Sequence, residues 1–354
     1  MKKFLVLILI VLLIVPALVS CAARRTADVH VFYYTYSDPY ISTVRSSLDG
    51  LLKSEGVSFQ DHDSNNSQTT QTEQIQTAIT GGAKLLLVNI VTTGSDDAAS
   101  GIVALAKKAD IPVIFFNREV SDDVVNSYDK CAFVGTDAAE AGYLQGDMIG
   151  DYLLENYDKV DLNGDGDISY VLFMGEKGNN EAIYRTEYSV ENANKKLEAA
   201  GKPKLKFYDR ANTDKYLLDR EGKWSAQAAN DYMTTILASY NKENKNMVEL
   251  VICNNDGMAE GAISALSAAG YNRGGDTLTI PVFGVDATSA ARELIAAGKM
   301  AGTIRQDGEG MAKALLHVTK NGLAGGNLLS GVTDFQIDTD VAKIRVSYSI
   351  YTKQ

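Results

Sequence analysis

Residues 161–169, Asp-Leu-Asn-Gly-Asp-Gly-Asp-Ile-Ser, place oxygen-bearing side chains at alternate positions, which is the pattern of a calcium-binding loop. Ca²⁺ takes about six to eight oxygen ligands, and Gly166 stands sixth, where such a loop must turn sharply. The pattern predicts a structural Ca²⁺ held by the side chains of Asp161, Asn163, Asp165 and Ser169 and by the backbone carbonyl of Asp167. The alternative is a surface turn of Asp, Asn and Gly residues without a metal.

The end of this loop departs from an EF-hand. An EF-hand places a Glu that binds with both oxygens at the twelfth position, whereas this chain has Leu172 there. The run from Ile168 to Met174 is apolar and rich in β-formers, so it predicts a strand and not the second helix of an EF-hand. One more carboxylate must therefore come from another part of the chain.

The first twenty residues have the composition of an export signal. Lys2 and Lys3 precede an apolar run from Phe4 to Val15, and the segment that ends in Ser20-Cys21 resembles the cleavage motif of bacterial lipoproteins. We therefore expect residues 1–20 to be removed, Cys21 to carry a lipid anchor, and residues 21–28 to form a tether. The protein would then be exported and held at the outer face of the cytoplasmic membrane or in the periplasm. A plain transmembrane anchor is the alternative, but the run is shorter than the roughly twenty residues that span a bilayer.

The chain is acidic and long. It has 34 Lys and Arg against 45 Asp and Glu, a net charge of −11, and loss of Lys2 and Lys3 with the signal would leave −13. This charge disfavours nucleic acid and anionic lipid surfaces as partners. Cys131 and Cys253 lie in apolar runs, which indicates buried thiols rather than a disulfide or a zinc site. About 330 mature residues exceed one ordinary core, so two lobes are expected.

Short apolar runs alternate with helical segments along the chain. Strands are predicted at Val29–Tyr34, Lys84–Ile90, Pro112–Phe116, Ile168–Gly175, Lys204–Tyr208, Glu249–Cys253, Pro281–Val285 and Gly302–Arg305. Helices are predicted at Tyr40–Ser54, Gln68–Thr80, Ala98–Lys108, Ala138–Leu154, Asn180–Ala200, Trp224–Tyr240, Met258–Ala269, Thr288–Ala297 and Gly308–Asn321. This alternation predicts an α/β fold with parallel sheets that are covered on both faces.

Polar residues follow several predicted strands. Asp38, Asn117, Asn255 and Asp286 stand at such positions, and ligands bind at the carboxyl ends of strands in open α/β sheets. Taken singly, Asp38, Asn117 and Asp286 could instead cap helices. The chain has no G-x-G-x-x-G at a strand–helix junction, no Walker A motif and no basic-aromatic patch, so neither a nucleotide cofactor nor nucleic acid is expected.

Several segments closely match one known family, in the same order along the chain. They are Phe115-Phe116-Asn117-Arg118-Glu119, Ser127-Tyr128-Asp129-Lys130, Val134-Gly135-Thr136-Asp137, Gln145-Gly146-Asp147, Asn254-Asn255-Asp256 and Pro281-Val282-Phe283-Gly284-Val285-Asp286. With the calcium loop, the chain from about Val29 to its C-terminus resembles the periplasmic galactose/glucose-binding proteins, the sugar receptors of ABC transporters. The resemblance implies a type I periplasmic-binding fold, with two doubly wound parallel-sheet lobes joined by a three-crossing hinge.

The resemblance also implies where the lobes begin and end. By correspondence the N-terminal lobe comprises residues 29–135 and 307–345, and the C-terminal lobe, which includes the calcium loop, comprises residues 137–305 and 346–354. The hinge crossings fall near 135–137, 305–307 and 345–346. A ligand would select the closed arrangement of the lobes through contacts to both sides.

A monosaccharide site follows from the same correspondence. The positions that hydrogen-bond the sugar rim fall on Asp38, Asn117, Asn179, Glu181, Arg185, Asn255, Asp286 and Gln306, and the two stacking aromatics fall on Tyr40 and Trp224, with Tyr34 and Tyr36 close by. Asn179, Glu181, Gln306 and Tyr40 stand where the family has His, Asp, Asn and Phe. These four departures leave the choice between glucose, galactose and another sugar open. Without the resemblance, Trp224 could instead be a buried residue that anchors its helix in the core.

The resemblance supplies the missing calcium ligand as well. In that family a Glu at the start of the strand that leads to Asn-Asn-Asp completes the shell, and this residue is Glu249 here. Ser169 stands where the family has a longer Gln, so a water molecule would bridge its hydroxyl to the ion.

As a member of this family the protein would be a monomeric receptor and not an enzyme. It would deliver a sugar to an ABC permease, and a sensory role through a chemoreceptor is compatible with the same sequence. An exported glycosidase would need two carboxyls, such as Asp38, Glu181 or Asp286, facing each other across a glycosidic bond. A transcription regulator of similar architecture would need a basic helix-turn-helix before the first strand, where this chain has a signal segment.

Overall fold

The computed structural model describes residues 27–353, so the predicted signal segment and Cys21 lie outside the described residues. The described chain forms two seven-stranded sheets covered by helices. Most neighbouring strands are parallel, which confirms the predicted α/β class. Between residues 27 and 353 no helix is both long and apolar enough to cross a membrane.

The strands are short, as the length of the apolar runs predicts. They are β1 Val29–Tyr33, β2 Phe59–Asp63, β3 Leu85–Val88, β4 Val113–Phe116, β5 Cys131–Gly135, β6 Ser169–Met174, β7 Lys206–Phe207, β8 Leu217–Leu218, β9 Leu250–Cys253, β10 Val282–Asp286, β11 Gly302–Arg305, β12 Gln336–Ile337, β13 Lys343–Arg345 and β14 Ser349–Thr352. The first sheet has the order β12-β13-β5-β4-β3-β1-β2. The second has the order β14-β11-β10-β9-β6-β7, with β8 also paired to β6. Only the β12–β13 and β11–β14 pairs in the described chain are antiparallel.

The helices connect the strands and cover both faces of each sheet. They are α1 Pro39–Ser54, α2 Gln68–Thr80, α3 Asp97–Ala109, α4 Asp122–Asn126, α5 Ala138–Val160, α6 Asn180–Ala199, α7 Ala226–Ser239, α8 Asp256–Ala268, α9 Ser289–Ala296 and α10 Gly308–Leu323. Successive β1 residues point to opposite faces: Val31 belongs to the apolar cluster against α1 and α10, and Phe32 to the cluster against α2 and α3. A continuous apolar run is therefore what a strand buried on both sides requires.

Polar residues between strands and helices cap the first helical turns. The side chains of Asp38, Ser67 and Ser225 accept hydrogen bonds from backbone N–H groups of α1, α2 and α7. Helix starts leave such N–H groups without partners, and loss of a cap costs about 1 kcal/mol. Cap residues at strand ends also lie where the sheet edges face each other.

Two glycines allow α5 and α6 to pack closely. A Cβ atom on Gly142 would lie 2.4 Å from the carbonyl oxygen of Tyr184, and one on Gly146 would lie 2.8 Å from that of Ser189. Both distances are too short for a side chain, so the backbones of the two helices are in near contact. This packing fixes the position of α6, which carries two of the predicted sugar ligands, Glu181 and Arg185.

The chain passes between the sheets three times, after Gly135, after Arg305 and after Arg345. At the third passage the backbone N–H of Val346 donates to the carbonyl of Gly135 at 2.7 Å. The guanidinium of Arg345 donates to the carbonyl of Thr136 at 2.8 Å. The first and third connections are therefore hydrogen-bonded to each other.

Candidate functional site

A cleft of about 380 Å³, part of it open to solvent, lies between the carboxyl ends of the strands of the two sheets. This size falls within the roughly 300–1,000 Å³ of small-molecule sites. Its walls are formed by Tyr34, Asp38, Tyr40, Ile41, Asn117, Arg118, Asn179, Glu181, Arg185, Trp224, Asn255, Asp286 and Gln306. All ten residues predicted to contact a sugar are among them.

Asp38 and Tyr40 stand at the start of α1, on the side of the first sheet. Asp38 caps the helix through Oδ1, which accepts from the N–H of Ile41 at 2.8 Å, and its Oδ2 accepts from the hydroxyl of Tyr34 at 2.5 Å. Tyr40 is buried and its hydroxyl points to the sulfur of Met311 at 3.7 Å. These contacts fix the orientation of both side chains without a ligand.

Asn117 follows β4 in a left-handed backbone conformation, with a φ of 62°. Asn tolerates this conformation better than most residues. The side-chain amide of Asn89 donates to Oδ1 of Asn117 at 3.1 Å, and it also donates to the carbonyl of Phe116. The strand end is thereby held in the sharp turn that directs Asn117 to the cleft.

Arg185 is the centre of the opposite wall. Its Nη1 donates to the carbonyl of Asn254 at 2.9 Å, and its Nη2 donates to the hydroxyl of Tyr348 at 2.8 Å and to Oε1 of Gln306 at 3.4 Å. The hydroxyl of Tyr348 also pairs with Oγ1 of Thr136 at 2.9 Å. Arg185 is thus connected to residues of all three passages between the sheets.

Several polar atoms of this wall are buried with no hydrogen-bond partner among the described residues: both carboxylate oxygens of Glu181, Nε of Arg185 and Nε2 of Gln306. Buried polar groups are rarely left unpaired in folded proteins, since each costs about 1–3 kcal/mol. Donors and acceptors of a ligand in the cleft would satisfy them.

Burial raises the pKa of Glu181 to about 7 from its ordinary 4.5, although the charge of Arg185 acts in the opposite direction. The folded state therefore holds this proton more tightly than the unfolded state, and stability falls as the pH rises from about 4.5 to 7. Glu181→Gln should flatten this part of the stability profile. At pH 8 it should raise the free energy of unfolding of the ligand-free protein by about 1–3 kcal/mol.

Urea unfolding at several pH values measures this effect. Glu187→Gln is the matched control, because Glu187 lies on the same helix but is exposed. An equal pH profile for wild type and Glu181→Gln would contradict the assignment.

Asn255, Asp286 and Trp224 complete the second wall. Oδ1 of Asn255 caps α8 by accepting from the N–H of Met258 at 2.9 Å, and its Nδ2 donates to the carbonyl of Trp224 at 3.3 Å. Burial raises the pKa of Asp286 well above its ordinary value, and the nearby charge of Arg185 lowers it. Trp224 lies before α7 with a φ of 56° and packs on Gly175, where a Cβ would come within 2.2 Å of the indole.

The predicted calcium loop connects α5 to β6. Asp161 accepts from the N–H groups of Gly164 and Asp165 through Oδ1 and from that of Gly166 through Oδ2. Gly164 and Gly166 both have positive φ angles, 73° and 81°. The loop is therefore a compact turn built around the first carboxylate.

Glu249 meets this loop from the residue before β9, which is where the resemblance places a ligand. The carboxylate is fully buried: Oε1 accepts from the N–H of Leu162 at 2.8 Å, and Oε2 accepts from the N–H of Ser169 at 2.9 Å and from its hydroxyl at 3.1 Å. A surface cavity is lined by Asn163, Asp165, Asp167, Ser169 and Glu249, together with neighbours such as Lys206. Ser169 and Glu249, which are 80 residues apart in the sequence, are thus in direct contact at the loop.

The donor set fits a hard cation. Within residues 27–353 no group of three or more Asp, Glu, His or Cys side chains is arranged as a ready-made metal centre, since these carboxylates turn to backbone N–H groups. Oδ2 of Asp161 and both carboxylate oxygens of Asp165 nevertheless accept only one hydrogen bond each from the described residues, so each keeps a second lone pair. The basic side chains at the cavity are Arg210, Lys245 and Lys206, of which Lys206 pairs with Asp167. Asp161, Asn163, Asp165, the carbonyl of Asp167, Ser169 and Glu249 would hold Ca²⁺, which would add oxygen coordination that cross-links the loop to β9.

The sequence profile of the periplasmic binding protein domain matches residues 29–327. The chain is a member of the periplasmic binding protein family. It is 35% identical over 331 residues to the D-galactose/methyl-galactoside binding periplasmic protein MglB of Haemophilus influenzae, which covers 93% of this chain and 91% of that protein. The recognition from sequence motifs is thereby confirmed.

Solved structures of periplasmic binding proteins share the fold. An ABC transporter solute-binding protein from Clostridium phytofermentans with bound β-D-glucose has a TM-score of 0.72 at 23% identity, over 92% of this chain and 93% of that one. Another from Bacillus halodurans with bound myo-inositol has a TM-score of 0.69 at 24% identity, over 94% and 96%. The family match and the 35% identical Haemophilus binding protein confirm the prediction of a binding protein instead of an enzyme.

The capping alternative applies to some cleft residues of this periplasmic binding protein and not to others. Asp38 caps α1 and also lines the cleft, so both interpretations hold for it. For Asn117 and Asp286 the capping alternative is wrong, because the helices that follow are capped by Ser121 and Thr288. Asn117 and Asp286 therefore have no local structural role of this kind that would explain their polarity.

Three residues near the cleft have roles that the sequence reasoning did not assign. Arg118 lines the cleft, with its guanidinium 4.0 Å above the ring of Tyr34, and it belongs to the Asn-Arg-Glu motif that marked the family. Tyr348 and Glu176 lie behind the cleft and bind residues that line it. Arg118 and Glu176 each come shortly after a predicted strand, which could have indicated their positions, whereas Tyr348 has no such signal.

Proposed function

We propose that this protein is an exported receptor that encloses one monosaccharide, glucose or galactose, and delivers it to an ABC permease. The observation that carries the proposal is the cleft. It combines three aromatic side chains, Tyr34, Tyr40 and Trp224, with a ring of buried hydrogen-bonding groups. Glu181, Arg185 and Gln306 retain unpaired polar atoms there. A pyranose offers hydroxyls around its rim and apolar C–H faces, which match such a wall.

Closure of two lobes belongs to this proposal. Lobes of residues 29–135 plus 307–345 and 137–305 plus 346–354 would move about the segments near 135–137, 305–307 and 345–346. Asp38 and Asn117 would then contact the sugar from one side, and Arg185 and Asp286 from the other. Binding energy from both sides is available only in the closed state, so the sugar selects that state.

The identity of the sugar is supported by the relatives. The 35% identical Haemophilus protein is a D-galactose and methyl-galactoside binding protein, and one structural relative holds β-D-glucose. Glucose and galactose differ only at the C4 hydroxyl, and a carboxylate such as Asp38 can accept from either orientation. We therefore propose that both hexoses bind at one site.

Titration calorimetry with glucose, galactose and ribose tests the proposal. Either hexose should bind with 1:1 stoichiometry and quench the fluorescence of Trp224, which is the only tryptophan in the chain. A Trp224→Phe variant should retain weaker binding and lose the fluorescence signal. If neither hexose binds and ribose or a ligand that is not a sugar does, the sugar assignment is wrong although the fold is unaffected.

Anchoring through Cys21 is a separate proposal, which rests on the segment that ends in Ser20-Cys21. Cys21→Ser should prevent lipid attachment and release the protein from membranes, because the lipid that Cys21 is proposed to carry would be absent. Membrane fractionation of cells that express each form measures the release. A Cys21→Ser protein that still sediments with membranes would show that another segment holds it.

A further inference from the structure

The carboxylate of Glu176 receives hydrogen bonds from both sides of the cleft. Glu176 follows β6, two residues beyond the strand, and its side chain is 17% exposed. From the chain that builds the first sheet, Oγ1 of Thr93 donates to Oε1 at 3.3 Å and the guanidinium of Arg118 donates to Oε2. From the chain that builds the second sheet, Nδ2 of Asn179 and Nε1 of Trp224 both donate to Oε2 at 3.2 Å.

Glu176 itself does not line the ligand cleft. Arg118, Asn179 and Trp224 do, whereas Glu176 lies on the wall of a neighbouring cavity between the two sheets. It therefore acts on a ligand only through the three side chains that it binds. The backbones on either side are in contact beside it, since a Cβ on Gly178 would lie 3.0 Å from Cα of Gly94.

The partners of Glu176 differ in how they depend on closure. Asn179 and Trp224 come from its own side and stay bound if the cleft opens. Arg118 is held by the carbonyls of Ile90 and Val91 on the other side, and Thr93 follows them in the chain, so both leave Glu176 when the sides separate. Charge-assisted hydrogen bonds are stronger than neutral ones, so the contact with Arg118 favours the closed arrangement.

We propose that Glu176 is a positioning residue that couples closure of the cleft to the orientation of Asn179 and Trp224. This inference rests on the proposed function, in which a sugar occupies the cleft. Because the interlobe contacts stabilise the closed arrangement, from which a bound sugar must escape, Glu176 acts mainly on the rate at which the sugar leaves.

Replacement of Glu176 by Gln tests the coupling. The glutamine amide has nearly the same shape as the carboxylate but carries no charge. Its N–H group would face groups that themselves donate hydrogen bonds to Glu176. Stopped-flow and calorimetry with glucose and galactose should show an affinity at least about tenfold weaker, with a faster dissociation rate and an association rate within about threefold of wild type. Glu221→Gln is the matched control: Glu221 lines the same neighbouring cavity, but it pairs with Lys223 in its own loop.

A second variant separates coupling from a general structural effect. Thr93→Val should weaken binding severalfold in the wild-type background and add nothing in a Glu176→Ala background, because Glu176→Ala already removes the contact that Thr93 makes. Additive effects, or an unchanged dissociation rate in Glu176→Gln, would overturn the proposal.

Small-angle X-ray scattering without sugar provides a measurement that does not depend on the proposed function. Glu176→Gln should shift the ligand-free protein to a larger radius of gyration than wild type, and Glu221→Gln should not. If wild type binds neither hexose, the proposed function fails, and the scattering comparison alone then decides the role of Glu176: equal radii would overturn it.

Discussion

Replacement of Arg185 by Ala is expected to abolish binding of glucose and galactose in calorimetry. The guanidinium is buried and donates to the carbonyl of Asn254 and to the side chains of Gln306 and Tyr348, while its Nε has no partner among the described residues. Its loss removes a fixed donor, deprives Asp286 of its nearby positive charge, and leaves Glu181 with the weaker influence of Arg118. Removal of one partner from a buried charged pair costs about 3–5 kcal/mol, which corresponds to an affinity lower by two orders of magnitude or more.

Two further variants make this result specific. Arg185→Lys keeps the charge but not the planar fork, so it should bind detectably but weakly. Arg273→Ala removes an exposed arginine that does not line the cleft, and its affinity should equal that of wild type. Near-normal affinity in a folded Arg185→Ala protein would exclude Arg185 from the ligand site.

Removal of Ca²⁺ is expected to lower the melting temperature of the wild-type protein. An ion present at 100 times its dissociation constant stabilises the folded state by about 2.7 kcal/mol. For lobes of this size that corresponds to a change in melting temperature of about 5–10 °C. Differential scanning calorimetry in Ca²⁺ and in EDTA measures this difference in melting temperature. In the Glu249→Ala variant the difference should disappear.

The control must separate loss of the ion from loss of a structural contact. Glu249 accepts hydrogen bonds from Leu162 and Ser169 without any metal, so Glu249→Ala should melt at a lower temperature even in EDTA. Asp165→Asn keeps the contact to the N–H of Asp167 and loses only the exposed contact from Nδ2 of Asn163, so its deficit should be larger in Ca²⁺ than in EDTA. Glu155→Ala, at an exposed position of α5, should respond to EDTA as wild type does. A wild-type melting temperature that EDTA does not change would contradict the calcium proposal.

Most of the fold could be predicted because buried parallel strands are short continuous apolar runs. β3, β4 and β9 each lie within the predicted runs. The edge strand β2, Phe-Gln-Asp-His-Asp, was missed because its composition is polar. β12 has only two residues and β14 is largely exposed, and both pair antiparallel at sheet edges, so neither forms an apolar run. β5 was also missed, although it is a buried apolar strand.

The prediction of a helix from Trp224 was wrong by two residues, and the difference matters for the site. Ser225 caps α7 by accepting from the N–H of Ala228, and its own N–H donates to Asp219. These bonds make the helix begin at Ala226, so Trp224 lies outside it and has a left-handed backbone conformation. Such local hydrogen bonds compete with helix formation and are not visible in apolar periodicity.

The candidate site was accessible from the sequence only in part. Asp38, Asn117, Asn255 and Asp286 stand at strand ends, so topology alone suggests them, whereas Asn179, Glu181 and Gln306 came from the family resemblance. Tyr348 could not be found in either way, because it is 163 residues from Arg185 and meets it only through the third passage between the sheets. Contacts of this kind depend on tertiary structure and leave no local pattern.

The third passage also determines when the protein can finish folding during its synthesis. β13 pairs with β5 in the first sheet and β14 pairs with β11 in the second, yet both are made from the last twelve residues of the chain, 343–354. Domains generally fold as they leave the ribosome, N-terminal first. Here neither lobe can be completed until residues 343–352 have been synthesised. A nascent chain truncated before Lys343 would therefore leave β5 unpaired at one edge of the first sheet and β11 unpaired at one edge of the second. Both lobes would be incomplete, and neither would be intact.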